Sequence, residues 1–409
     1  MSYGLRGKVQ SPLRHIRATG VMKRVHVILG TKAQLIKMAP ILVELQNRRI
    51  PYNFILTGQH RETLDALREN FGVRRPDYIL YEGPDITGTL SMFSWLFASA
   101  FKMLRHRKKI FGPRIDAGHV ILVHGDTVSA LLGAVVGKLL GAKVAHVESG
   151  LRSFNYFHPF PEEITRVLTF NFTDYFYCPG DWAVGNLKRF HGVKVNTGQN
   201  TLYDCLQLAR SRIEQMPRDG IPAEPYVVCT LHRFENLYKK AKVEWVVATL
   251  LRLAKKRKIL FILHPVTEKQ LRKWGCLEVL ERQPGIQLLP RMDYFNFIRL
   301  VYHADFVISD GGSNQEENYY LGKPCLLFRK AVERTEGIGE NCIVSRYDDR
   351  LIDAFVDRFH EYERPPLTLN VSPTMMIVDH LQHAFDLEEA PASHPQARGD
   401  GAGRKIVSE

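Results

Sequence analysis

The chain has 409 residues, 45% of them hydrophobic and 24% charged, and a formal net charge of +13. That length and apolar content exclude a disordered or fibrous chain and are ample for two domains. Six cysteines without CxxC or Cys/His spacing exclude a zinc module or disulfide framework, and no apolar run reaches the roughly 18 residues that span a bilayer.

Residues 1–24 carry Arg6, Lys8, Arg14, Arg17, Lys23 and Arg24 without an acid, and no apolar segment with a cleavage site follows. Residues 1–23 therefore read as a basic extension rather than a signal peptide, and the cysteines as reduced core thiols of a cytoplasmic protein. The run Arg24–Leu29 (RVHVIL) predicts a strand, Gly30-Thr31 a turn, and Gln34–Asn47 an amphipathic helix. Strands of the same kind are predicted at Tyr52–Thr57, His119–Val123, Lys143–Val147 and Tyr175–Cys178, each followed by a polar or glycine turn.

Within this half, Phe93, Leu96, Phe97, Ala100, Phe101 and Leu104 recur at helical spacing, running into Lys102, Arg105, Arg107, Lys108, Lys109 and Arg114. The segment 92–114 reads as a core-facing helix with a solvated basic end; weak association with a membrane surface is the alternative. A second series of strands is predicted at Tyr226–Leu231, Ile259–Leu263, Ile286–Leu289, Phe306–Ser309 and Pro324–Phe328, with the join near Thr197–Asn200. Strands alternating with helices imply parallel sheets. The fold class is α/β, two Rossmann-like doubly wound sheets facing a central cleft, with domains at 24–198 and 199–371 and a disordered Pro/Gly-rich tail at 389–409.

The chemistry-bearing residues follow strands. Asp126 in HGDT and Glu148 in HVESGLR each end a hydrophobic run, and Glu162 in PFPEEITR is expected in a Pro-flanked loop before a helix. Three carboxylates at one edge suit proton transfer, because grouped acids push their pKa values apart; helix and strand caps are the bland alternative. No DxD-type pair accompanies them, so no metal is expected. In the second half, Gly311, Gly312 and Ser313 of SDGGSNQEE let a helix start approach a diphosphate, and Glu316, expected in the first helical turn, could face ribose hydroxyls. His232 in LHRFEN and Arg334 in ERTEG follow further strands and can bind phosphate oxygens, whereas His264 in LHPVT reads equally as structural or binding.

In order along the chain, TGQHRETLD, VHGDT, HVESGLR, PEEITR, HRFEN, SDGGSNQEE and LGKP resemble the motifs of the UDP-N-acetylglucosamine 2-epimerase family, whose fold is of the GT-B type. The resemblance implies that Asp126, Glu148 and Glu162 are the essential acids and that His232 lies beside the diphosphate. It implies Lys32, Lys37 and Arg166 as substrate-binding cations, Glu316 at the ribose and Phe297 near uracil. Gln59, His60 and Arg61 match a motif that holds an activating nucleotide sugar in bacterial members. A helix within 372–388 would cross back onto the first domain. The first loop departs from the family's GTRPE, reading Gly30-Thr31-Lys32-Ala33-Gln34, so the arginine fork becomes a point charge and the acid is lost.

The implied chemistry removes UDP from C1 and a proton from C2, giving a 2-acetamidoglucal, and re-adds UDP with protonation from the other face. It needs no cofactor. The expected partners are a UDP-N-acetyl sugar and a second copy of the chain, with no nucleic acid. A hydrolysing epimerase and a GT-B glycosyltransferase stand as alternatives.

Overall fold

Every strand that the hydrophobic runs predict is present in the computed structural model, which describes residues 24–58, 64–81, 89–156, 161–332 and 334–389. Val25–Leu29 (β1), Tyr52–Leu56 (β2), Tyr78–Ile79 (β3), Val120–His124 (β4), Lys143–Val147 (β5), Tyr175–Cys178 (β6) and Val193–Asn196 (β7) form one parallel sheet in the order β3-β2-β1-β4-β5-β6-β7. Tyr226–Thr230 (β8), Lys258–Leu263 (β9), Ile286–Pro290 (β10), Val307–Ser309 (β11), Cys325–Leu327 (β12) and Cys342–Val344 (β13) form a second, in the order β10-β9-β8-β11-β12-β13. The inner strands are mostly apolar, interrupted by the buried His26, Asn53 and His146, because helices cover both faces. The strands absent from the sequence expectation are β3, β7 and β13, which are short or carry polar residues on half their positions.

Winding reverses between β1 and β4 in the first sheet and between β8 and β11 in the second. Each reversal parts the following loops at the carboxyl ends of the strands, where open α/β sheets hold ligands. The two crevices are joined through the helix Leu202–Ile213. Its Leu202, Cys205, Leu206 and Ala209 belong to one apolar core that also holds Val27 and Leu42 of the first domain and Ile298 and Tyr320 of the second. At its start the Thr201 hydroxyl donates to the Lys37 carbonyl at 2.6 Å, and the Asn200 amide donates to the Tyr320 hydroxyl at 3.2 Å.

The helix Pro373–Phe385 lies against the first domain. Arg48 pairs with Asp379 at 2.5 Å, the Tyr177 hydroxyl meets His380 Nδ1 at 3.0 Å, and Arg24 donates to the Phe385 carbonyl at 3.2 Å. Glu389, assigned to the tail by sequence, pairs with Arg49 at 3.4 Å. Residues 1–23 and 390–409 lie outside the described residues.

The helix Thr89–Arg105 corrects the expectation of a core-facing phenylalanine stripe. Trp95, Ser99 and Met103 point inward, Leu96, Ala100 and Leu104 are partly buried, and Phe97 and Phe101 are 72% and 68% exposed. Apolar residues surround too much of this helix for spacing alone to choose its buried face. The choice falls to the bulky Trp95 ring, whose indole N–H also reaches the Thr57 carbonyl at 3.4 Å. All six cysteines are buried and unbridged, and among the described residues no helix is long and apolar enough to cross a membrane.

Candidate active site

Two adjoining cavities, of about 510 and 520 Å³, fill the cleft and share Ala33, Lys37, His232, Ser313 and Asn314 as walls. Asp126, Glu148, Glu162, Lys37, Arg166, His232, Gly311, Gly312, Ser313 and Arg334 line the first. Lys32, Lys37, His232, His264, Phe297 and Ser313 line the second. Gln59, His60 and Arg61 lie outside the described residues.

The turn after β1 is closed on itself by packing. A Cβ on Gly30 would stand 2.0 Å from the Ser129 hydroxyl oxygen, so only glycine lets this turn approach the helix Val128–Leu139 that follows β4. Thr31 and Gln34 form a capping box at the start of the helix Lys32–Asn47. The Gln34 amide also donates to the His124 carbonyl at 2.7 Å and the Thr127 hydroxyl at 2.8 Å, tying the β1 and β4 turns together. A carboxylate could not make those donations, which gives the departure from the GTRPE pattern a structural reason.

Glu148 ends β5 with a left-handed backbone, φ 60°, a costly conformation for a residue with a side chain. Its carboxylate lies 2.5 Å from Lys37 Nζ, 3.1 Å from His124 Nε2 and 2.9 Å from Arg334 Nη2, the last reaching over from the second domain. Burial alone would raise its pKa; Lys37, His124 and Arg334 outweigh that and hold it well below the usual carboxylate range. Beneath it, the buried His146 donates from Nε2 to the Gly125 carbonyl at 2.7 Å and accepts at Nδ1 from the Ser149 hydroxyl at 3.1 Å. Burial pushes its pKa down to about 4, so it is a neutral strut for the HGDT turn.

The paired acids of PFPEEITR divide the work. Glu162 is the first residue of the helix Glu162–Asn171 rather than part of the preceding loop, because the helix begins directly after Pro161. It faces the cavity with one buried oxygen that has no hydrogen-bond partner among the described residues. Glu163 turns away and is fully buried between Arg152 and Arg166, both at 2.5 Å, with the Ser153 amide at 3.1 Å. Arg166 then reaches Asp126 at 2.5 Å. Glu163 thus aims the arginine that holds Asp126.

In the second domain Asp310 is buried at the end of β11 and accepts from the His232 amide at 3.0 Å, the Arg233 amide at 3.0 Å and Asn236 Nδ2 at 2.8 Å. This carboxylate sets the HRFEN turn. His232 stands 5.8 Å, ring to ring, from His264. Burial lowers both pKa values, that of His264 to about 4, with neighbouring arginines adding to the effect. His264 lines the second cavity and also caps its helix, accepting from the Val266 amide at 3.4 Å.

Glu316 sits in the second turn of the helix Gly312–Leu321, not the first, and lines neither cavity. It is buried against Arg334 at 3.1 Å, Lys37 at 3.6 Å and the Tyr320 hydroxyl at 3.1 Å. One residue on, Glu317 lines the second cavity with Phe297, accepting from Asn314 Nδ2 at 2.9 Å. Burial dominates at Glu317 and pushes its pKa up to about 7.

That shift has a measurable consequence for stability. Between the ordinary value of 4.5 and about 7 the folded state holds a proton that the unfolded chain has lost. Stability therefore falls as pH rises through this window. Glu317→Gln is expected to leave stability unchanged at pH 4 and raise it by about 3 kcal/mol at pH 8. Equal denaturant midpoints for the two proteins at pH 8 would contradict the shift.

A family model described as UDP-N-acetylglucosamine 2-epimerase matches residues 43–365. The chain is 31% identical over 346 residues to the UDP-N-acetylglucosamine 2-epimerase of Methanocaldococcus jannaschii, covering 81% of this chain and 91% of that one. It is 30% identical, with the same coverage, to the UDP-2,3-diacetamido-2,3-dideoxy-D-glucuronate 2-epimerase of Pseudomonas aeruginosa. The crystal structure of the Methanocaldococcus jannaschii UDP-GlcNAc 2-epimerase in complex with UDP-GlcNAc and UDP matches with a TM-score of 0.71 at 28% identity, over 88% of this chain and 99% of that one.

Proposed function

The chain belongs to the UDP-N-acetylglucosamine 2-epimerase family, and from that we propose that it interconverts UDP-N-acetylglucosamine, or a related UDP-N-acetyl sugar, with its C2 epimer without hydrolysis. The observation that carries the reading is the division of the cleft. Three carboxylates face one cavity, Tyr294 and Phe297 with Asp293 and Glu317 face the other, and a helix start with cations lies between them. A sugar in the first cavity, a nucleoside in the second and a diphosphate at the junction fit that division.

The diphosphate meets the amides that open the helix Gly312–Leu321, with Lys32, Lys37 and His232 around it. Positive charge at this place favours departure of UDP from C1. Removal of the C2 proton by a carboxylate as the C1–O bond breaks leaves a C1=C2 double bond, a 2-acetamidoglucal beside UDP. Glu148 is the base that its surroundings keep ionised. A carboxyl on the other side of the sugar, Asp126 or Glu162, delivers a proton to the opposite face of C2 as UDP returns to C1. Glu317 and Phe297 hold the ribose and the base. The product is a precursor for surface polysaccharide.

Lys32 tests the junction. Lys32→Met is expected to weaken UDP binding about tenfold, the worth of one charge-assisted contact, and Lys32→Arg to retain it. Identical dissociation constants by calorimetry for all three proteins would remove Lys32 from the site. The non-hydrolysing step is tested by separating nucleotides after incubation with UDP-N-acetylglucosamine. The epimer should remain attached to UDP, whereas free N-acetylmannosamine with stoichiometric UDP would establish the hydrolysing reaction instead.

A further inference from the structure

Arg334, in the second domain, reaches across to an acid of the first. Its side chain is only 13% exposed, with Nη2 at 2.9 Å from Glu148 Oε1 and Nη1 at 3.1 Å from Glu316 and 3.4 Å from Glu336. It lies close beneath the helix start, where a Cβ on Gly312 would be 3.2 Å from its Nε. We propose that Arg334 is a positioning residue that holds Glu148 across the domain cleft, so that the base is complete only when the two domains are closed.

A clamp on the diphosphate is the obvious alternative role for an arginine here. Both ends of the guanidinium are already committed to carboxylates, however, and transferring the fork to phosphate would leave Glu148 and Glu316 short of a buried partner. The backbone of Glu148 adds to the case. A left-handed residue at a strand end persists only where its surroundings over-determine it, and the side chain is fixed from three elements at once. Lys37 comes from the helix after β1, His124 from the end of β4, and Arg334 from the loop before β13. The neutral His146 lies below, and two further acids face these cations, Glu316 beside both Lys37 and Arg334 and Glu336 beside Arg334. Opening the cleft would withdraw Arg334 and leave Glu148 with Lys37 and His124 alone.

The inference rests on the epimerase reading, and a wild-type protein that exchanges no C2 proton would overturn both. With an active wild type, the test is the pH profile of C2 exchange in Arg334→Gln and Arg334→Lys, alongside their UDP dissociation constants. Removing the cation raises the pKa of Glu148, so the acid limb of kcat should move to higher pH by about one unit or more in Arg334→Gln. Arg334→Lys should restore the limb, and both variants should bind UDP within about threefold of wild type, less than the loss of one charged contact. A tenfold or larger loss of UDP affinity in both, with the acid limb unmoved, would make Arg334 a nucleotide clamp and end the proposal. If Arg334→Gln does not fold, Arg334→Lys still decides. Lowered kcat at unchanged UDP affinity supports positioning, and lowered affinity at unchanged kcat overturns it.

Discussion

Glu148→Gln is expected to lower kcat for C2 exchange at neutral pH by about 10³-fold, in the middle of the 10²–10⁴ range that a positioned base contributes. The substitution keeps the volume and removes the charge at a carboxylate held by Lys37 at 2.5 Å and Arg334 at 2.9 Å. UDP affinity should change by less than about threefold, because the residue lines only the cavity assigned to the sugar. The pattern to look for is therefore loss of turnover with retained nucleotide binding. Turnover within about tenfold of wild type would show that Asp126 or Glu162 carries the proton and that Glu148 only balances charge.

Asp310→Ala is expected to be the most damaging change to the second domain. The buried carboxylate satisfies the His232 and Arg233 amides and the Asn236 side chain, so its loss orphans three donors at the turn that carries His232. At about 1–3 kcal/mol per unsatisfied buried group, the total is on the order of 5 kcal/mol. Calorimetric unfolding should show the second domain melting many degrees lower, together with weakened UDP binding. A melting profile unchanged to within about a degree would mean that water or neighbouring groups replace the carboxylate at little cost.

Both residues lie where the sequence speaks most clearly. A parallel strand covered on both faces is a largely apolar run, and the polar residue that follows it stands at the ligand-binding edge. That is why the position of Asp126, Glu148 and the Gly311–Ser313 turn at the cleft could be read from the hydrophobic runs that precede them. What the chain does not announce is which way a side chain turns once the element is formed. In Glu162–Glu163 and in Glu316–Glu317, two adjacent acids differ by about 100° around a helix, and packing decides which faces the cavity. Glu162 and Glu317 face it; Glu163 and Glu316 serve buried arginines. The exposure of Phe97 and Phe101 has the same origin, a helix apolar on more than one side whose buried face is chosen by the fit of Trp95. The two-residue strand Tyr78–Ile79 and the alternating Val193–Asn196 are edge strands, stabilised by a neighbour rather than by their own pattern.

Gln34 shows the reverse case, in which a departure from the family pattern is legible only with the fold in view. As a sequence change it removes an acid from the loop beside the cleft. In the structure its amide joins two strand-end turns through donations that an acid could not make.

Proton transfer at C2 of a UDP-N-acetyl sugar can be followed by incubation with UDP-N-acetylglucosamine in deuterium oxide. Followed by NMR, the C2 proton signal should disappear from substrate and epimer alike, at a rate that falls about 10³-fold in Glu148→Gln. Retention of the C2 proton in the recovered nucleotide sugar, with wild-type protein that binds UDP, would contradict the account.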